Sequence, residues 1–306
     1  MQTTRMTTTA TGRDIYATVT NQIVAALEAG TRPWVRPWTV TAPQAIGRPL
    51  RSTGEPYRGI NVLLLWAAAL EHGYNSRQWF TFNQAKAAGA NVRRGEHGAM
   101  VVYAGRIDAA DADDDEEQAS TPRRAGASFL RAYTVFNADQ LEGLPADPVQ
   151  PMPAPVELDH QAEAYVAATG AVIRHGGSRA YYAPGPDIIQ LPAPAAFRSA
   201  ADYHATQAHE LIHWTGHPAR LQREFGQRFG DDAYAVEELV AELGAAFLCA
   251  DLGIAAEPRE DHAAYIANWL SVLKSDRKAV FTAATQAQKA VDYLTALQHQ
   301  AEPVDA

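Results

Sequence analysis

The sequence predicts an α+β fold in two domains, and three observations carry the prediction. A proline-rich stretch interrupts the chain near its middle, charge is divided unequally across that stretch, and apolar residues switch between strand and helix spacing on both sides of it. At 306 residues the chain can hold two domains, each with its own core. Residues 145–156 read Pro-Ala-Asp-Pro-Val-Gln-Pro-Met-Pro-Ala-Pro-Val, an extended linker that neither a helix nor a central strand accommodates. Residues 13–144 form the first expected domain, a mixed α/β unit, and residues 157–300 the second. The polar residues 1–12 are expected to be a disordered tail.

In the first domain helical spacing covers residues 13–27, closed by Gly30, then 57–73 and 82–88. Residues 99–103 and 129–136 read as strands. The acidic insertion between them, 108–126, reads as a loop with no core to join. In the second domain a helix is expected at 156–169 and strands at 171–175, 180–183 and 187–191. Another helix opens behind Ser199, a residue suited to cap it, and Gly216 followed by His217-Pro218 stops it. A further helix begins at Tyr234.

The helix behind Ser199 contains His209-Glu210-Leu211-Ile212-His213. Residues four apart share a helix face, so His209 and His213 offer two imidazoles to one metal ion. Glu210 stands one step round, where its carboxylate reaches a water on that metal and takes its proton, the chemistry of peptide-bond hydrolysis by zinc. Ala219 stands where a longer zinc-protease signature has a third histidine, so that ligand is sought on another element. In the helix from Tyr234, Glu238 and Glu242 are four apart on one face, while Glu237 points elsewhere. Glu238 is assigned as the third metal ligand and Glu242 as the carboxylate that fixes a histidine tautomer, although spacing alone leaves the two roles exchangeable. Two histidines and one carboxylate suit zinc, with manganese and cobalt as alternatives. The strand ending at Pro192, Ile188-Ile-Gln-Leu, is expected at a sheet edge, holding an extended peptide by backbone pairing. Tyr234, Tyr265, His217 and His262 are the open choices for stabilising an oxyanion.

The net charge of −9 conceals an asymmetry. Residues 1–150 hold 15 Lys/Arg and 15 Asp/Glu, but seven of those acids fall in the single run 108–117. Without that run the first half carries a surplus of seven positive charges. The second half holds 11 basic against 20 acidic residues, so the two halves suit different partners. Arg32-Pro-Trp34-Val-Arg36-Pro-Trp38 alternates guanidinium groups with indoles on a backbone that prolines keep extended. Tyr57, Arg58, Asn61, Lys86, Arg93 and Arg94 follow, interleaved with Trp79, Phe80 and Phe82. Aromatic planes for unstacked bases and cations for phosphates are what single-stranded DNA binding uses, so Arg32, Trp34, Arg36, Trp38 and these six residues are the candidate contacts. One cysteine, Cys249, excludes a disulfide framework and, in an apolar helix, reads as core. The first ten residues carry no apolar signal segment, and the longest apolar run, near residues 60–70, is too short to span a bilayer. No membrane partner is expected, and the expected compartment is the cytoplasm.

Several of these segments, taken together and in order, resemble ArdC-type antirestriction proteins. They are Asp14-Ile-Tyr, Pro33-Trp34, Pro37-Trp38-Thr39, Pro56-Tyr57-Arg58-Gly59-Ile60-Asn61, Thr81-Phe82-Asn-Gln84-Ala85, Val92-Arg93-Arg-Gly95-Glu96-His-Gly98 and Tyr133-Thr-Val-Phe-Asn137. The second half is similar to the zincin-like peptidase domain of that family in His209-Glu-Leu-Ile-His-Trp-Thr-Gly-His217, Arg220-Leu221 and Glu237-Glu238-Leu-Val-Ala-Glu242. The acidic run after Asp108 does not belong to the shared pattern. The resemblance implies a first half that binds single-stranded DNA and a protein that shields incoming plasmid DNA from host restriction during transfer. It also implies a metallopeptidase site in the second half, without naming its substrate. Two readings follow: a zinc peptidase acting on a host or DNA-bound protein, or a purely DNA-binding protective protein whose metal site is structural or silent.

Overall fold

In the computed structural model, residues 12–34, 47–106, 128–144, 155–226, 232–255 and 263–300 are described. The tail 1–11, Arg36, Trp38, the acidic segment from 108 to 126, and linker residues 145–154 lie outside them. Helix α1 (Gly12–Glu28) buries Ile15, Val19, Ile23 and Leu27, the spacing of one helix face. Helix α2 (Ile60–His72) stops at Gly73, which adopts a left-handed φ of 69° and donates its N–H to the carbonyl of Ala69. Helix α3 (Phe82–Ala87) starts with a reciprocal capping box between Thr81 and Gln84.

Among the described residues the first half has six strands: β1 (Leu50–Arg51), β2 (Gln78–Phe80), β3 (Asn91–Val92), β4 (Ala99–Arg106), β5 (Ser128–Asn137) and β6 (Leu141–Glu142). Their main sheet has the order β1-β2-β5-β4, with β4 and β5 forming a long antiparallel ribbon, while β3 pairs with β6. The short strands β1, β2, β3 and β6 have too few residues to show alternation, and no sequence expectation covered them. Ile15 and Val19 of α1, Leu64 of α2 and Val102 of β4 form a cluster between the helices and one face of the ribbon.

The second half runs α4 (Pro155–Ala168), β7 (Val172–His175), β8 (Tyr181–Ala183), β9 (Ile188–Leu191), α5 (Ala200–Thr215), α6 (Asp232–Asp251), α7 (Ala263–Ser275) and α8 (Ala279–Gln300). Ser199 caps α5 as expected, its hydroxyl accepting from the N–H of Asp202 at 3.1 Å. The sheet order is β7-β9-β8. Strand β9 is therefore central, parallel to β7 on one side and antiparallel to β8 on the other. This corrects the expectation that Ile188–Leu191 lies at an edge: both its sides are already paired, so it cannot take a substrate strand. No helix among the described residues is long and apolar enough to cross a membrane.

The expectation of a separate core in each half is also corrected. The largest apolar cluster unites Leu27, Trp34, Trp66 and Trp79 with Phe247 of α6, Trp269 of α7, and Val280 and Leu294 of α8. The Trp34 indole stands edge-on to Trp269 at 5.7 Å between centroids. A polar seam crosses the same boundary. Arg48, 4% exposed, donates to Asp251 at 2.5 Å and to Gln288 at 2.8 Å, and Gln288 also accepts from the N–H of Gly59 at 3.2 Å. A buried guanidinium is tolerated because the Asp251 carboxylate matches its charge; loss of Asp251 would leave that charge unpaired, and loss of Gln288 would leave an N–H without its acceptor.

Trp34→Ala is therefore expected to lower the unfolding free energy by about 3–5 kcal/mol, with both halves melting in a single urea transition. Two transitions, one with an unchanged midpoint, would show that the halves hold separate cores.

Candidate functional site

Helices α5 and α6 meet closely at Gly244, where a Cβ would meet three atoms of the Ile212 side chain at 2.9 Å. This contact lets side chains near the crossing interlock. His209, Glu210 and His213 from α5 and Glu237 and Glu238 from α6 are all buried there. His209 Nε2 lies 3.2 Å from His213 Nε2. Glu238 Oε2 is 3.5 Å from His209 Nε2, and its Oε1 is 3.6 Å from His213 Nε2. Ligand atoms bound tetrahedrally to one zinc-sized ion at about 2.0–2.1 Å stand about 3.4 Å apart. These three side chains are the described group able to hold a metal, and their donor atoms have that spacing.

The outer ring nitrogens are also held. His209 Nδ1 lies 3.5 Å from Glu242 Oε1, and His213 Nδ1 lies 3.0 Å from Glu237 Oε1. Glu237 is gripped in turn by Arg223, whose Nε and Nη2 donate to its two oxygens, each at 2.9 Å. Arg223 also donates to the carbonyl of Ile212 at 2.6 Å and to the hydroxyl of Thr215 at 2.8 Å, which fixes it to the end of α5. Its path crosses Gly216, where a Cβ would meet Arg223 Nη2 at 2.9 Å and the Phe225 ring at 2.7 Å. Gly216 has an ordinary right-handed φ of −77°, so space rather than backbone freedom is what its lack of a side chain provides.

The expectation that Glu237 points away from the site is thus corrected. An imidazole presents nitrogens on opposite edges, so a helix serving both edges needs carboxylates on more than one of its faces. Glu237 and Arg223 are the side chains the sequence reading missed. The adjacent Glu237-Glu238 pair was a visible signal, whereas no spacing rule points to Arg223.

The electrostatics follow from burial and these contacts. Burial pulls the His213 imidazole down, but the hydrogen bond and charge of Glu237, with Glu238 and Glu210, more than reverse it and raise it to about 9. Burial pushes Glu238 up, yet the His209 contact, the charges of His213 and His209 and the Tyr234 hydroxyl hold it at about 2. Tyr234 is thus one of the four oxyanion choices that reaches the site. His217 instead accepts the Ala219 N–H on its Nδ1 at 3.1 Å, Tyr265 lies on α7, and His262 is outside the described residues. Burial pushes the Cys249 thiol up to about 12, as befits a core residue.

The proposed DNA contacts fare differently. Trp34, at 4% exposure, and Tyr57, at 9%, present no open ring face to a base; packing between the halves has claimed them, which corrects both assignments. Asn61 is corrected too: its side chain donates to the carbonyl of Val102 at 2.8 Å and accepts from its N–H at 2.7 Å, fastening α2 to β4. Arg58 pairs with Asp292 across the boundary at 2.5 Å, and Arg93 donates to Glu96 and to the backbone carbonyl of Asp139. Arg32 is half-buried, whereas Lys86 and Arg94 are exposed.

Residues 160–286 match the family model of a zincin-like metallopeptidase, the class that the histidine pair on α5 and the carboxylate on α6 define. Residues 13–136 match the N-terminal domain of the anti-restriction factor ArdC. The chain is 45% identical to antirestriction protein ArdC from plasmid R388, whose metal-free crystal structure superposes with a TM-score of 0.77 over 95% of this chain and 100% of that one. The Mn(II)-bound crystal structure of the same protein superposes with a TM-score of 0.75 over 94% of this chain and 100% of that one. The chain belongs to the ArdC antirestriction family, with its two-domain architecture. It is also 44% identical to protein y4eC of Sinorhizobium fredii (strain NBRC 101917 / NGR234), over 95% of both chains. DNA primase TraC of Escherichia coli is 38% identical over 94% of this chain, which spans 28% of the primase's length.

Glu237→Gln and Arg223→Gln are each expected to weaken divalent-metal binding about 10- to 100-fold, read by competition with a chelating dye. The metal must also displace a proton. His213 titrates at about 9 in the metal-free protein, so its Nε2 is protonated at neutral pH and apparent affinity rises about tenfold per pH unit until about pH 9. Glu238 is ionised throughout that range and adds no slope. A flat profile between about pH 6 and about pH 9 would contradict this proton balance.

Proposed function

We propose that this antirestriction protein binds single-stranded DNA entering a cell during plasmid transfer and hydrolyses peptide bonds of a host or DNA-bound protein at a zinc site. The observation that carries the peptidase reading is the convergence of the His209, His213 and Glu238 donor atoms beside a buried Glu210. A zinc ion held by those three side chains supplies Lewis acidity toward a carbonyl oxygen and a water, and two neutral nitrogens with one carboxylate suit zinc among the divalent ions. Glu210 holds the transferred proton on its carboxylate and delivers it to the leaving nitrogen. Glu242 and Glu237 orient the rings of His209 and His213 through the outer nitrogens. Tyr234 donates its hydroxyl proton to Glu238 and so helps to hold that ligand in place.

The DNA reading is supported by membership of the family and by the cation surplus of the first half outside its acidic run. One observation favours the alternative, a protective DNA-binding protein with a structural metal. Helix α6 carries Glu238 and also Phe247 and Asp251, which face the first half, so an ion joining α5 to α6 braces the shared interface.

Glu210→Gln is expected to retain the metal at full stoichiometry and to lose hydrolysis of a casein or host-lysate substrate. If no substrate is cleaved by the wild type, while chelation lowers the melting temperature, the structural reading stands instead. Affinity of the full chain for a thymidine oligonucleotide is expected to fall by about an order of magnitude or more between about 50 and about 200 mM salt. A salt-independent affinity would argue against phosphate contacts.

A further inference from the structure

Packing has consumed the rings that the sequence nominated, so the ring faces that the first half does present become informative. Among its described residues Trp34, Tyr57, Trp66, Trp79 and Phe80 are buried, while Phe82, Tyr103 and Tyr133 are exposed. Tyr103 and Tyr133, 55% and 45% exposed, both stand on the β4–β5 ribbon. The register pairs Tyr103 with Arg131, Gly105 with Phe129 and Val101 with Tyr133. Cross-strand partners share a face, so Tyr103, Phe129, Arg131 and Tyr133 stand side by side. The Tyr103 ring lies 6.1 Å from that of Phe129 and 6.4 Å from that of Tyr133, and the Arg131 guanidinium lies 4.8 Å from the centre of the Phe129 ring. Gly105 makes room for this arrangement, because a Cβ there would meet the Phe129 ring at 2.6 Å.

The opposite face of the ribbon is anchored. Val102, with Met100 and Leu130, packs against α1 and α2. The ring-bearing face also gives Val101 and Val135 to the main core, so the ribbon is fastened through both faces near its Ala99 end and carries three rings and a planar cation farther along. Separations of 6.1–6.4 Å exceed the step of about 3.4 Å per nucleotide in duplex DNA, so the rings suit bases from a stretched strand. The sequence between the two strands carries charges of both signs, Arg123 and Arg124 beside the acidic run, so the site is made by ring faces rather than by net charge.

We infer that Tyr103, Phe129, Arg131 and Tyr133 form the stacking platform on which single-stranded DNA lies. The inference rests on the reading that the protein binds single-stranded DNA, and it assigns that binding to a face with none of the eight described contacts expected from the sequence.

The test measures affinity of the full chain for a labelled thymidine oligonucleotide by fluorescence anisotropy, with melting temperatures recorded in parallel. Tyr103→Ala and Tyr133→Ala should each weaken binding by between about fivefold and about 150-fold, the range for loss of one stacked base. Tyr103→Phe and Tyr133→Phe keep the ring and should bind like the wild type. Tyr181→Ala removes an exposed ring from β8 in the second half and should leave affinity unchanged. Wild-type affinity in both alanine variants would overturn the platform while leaving DNA binding in place. No binding by the wild type would overturn the DNA reading and the platform with it.

Discussion

Between α5 and α6 the protein keeps three carboxylates, Glu210, Glu237 and Glu238, away from water, and the site is organised by the need to neutralise them. Burying ionised groups without partners costs several kcal/mol each, of order 3–5 when one member of a pair is removed. One guanidinium is delivered from the chain beyond α5: Arg223 passes over Gly216 and binds Glu237 through both oxygens. The remaining negative charge falls on the imidazoles, which is why His213 holds a proton so strongly when no metal is bound. A pocket that is short of positive charge when empty is already arranged for a divalent cation. The close approach of Gly244 to Ile212 is what keeps the carboxylates of one helix within reach of the histidines of the other.

Much of this was legible in the chain. The four-residue spacing of His209 and His213 fixes a shared face whatever surrounds the helix, and the same rule placed Glu238 on a face with Glu242. Glu237 escaped because periodicity treats a partner as lying on one side of a helix, whereas two imidazoles draw on an arc wider than one face. Arg223 escaped for a different reason. Its role depends on how the loop after α5 turns back over Gly216, and nothing local encodes that path.

The first half shows the limits of composition. Tryptophan and arginine in alternation describe a stacking surface and a buried seam equally well, and long-range docking decides between them. Trp34 met Trp269, more than two hundred residues away in the chain, and Arg48 met Asp251 and Gln288. The helices of the central elements were readable from their spacing and glycine stops. Strand β9 was readable as a strand but not as a central one, since the parallel partner β7 comes from before β8 in sequence. Helices α7 and α8 carry no motif and drew no reading, yet Ala283, Ala284, Ala287 and Ala290 of α8 are fully buried against their neighbours.

The shared core also constrains how this protein can change over generations. Recombination that joined a foreign partner at the proline-rich stretch would strand Trp34, Trp66 and Arg48 without the surfaces that receive them. A substitution that enlarges an alanine on α8 alters the seat of the first half as well as the support of the histidine-bearing helix and its partner. Drift in the first half must therefore be answered by drift in the half that carries the histidines, and the two are expected to vary together as one inherited unit.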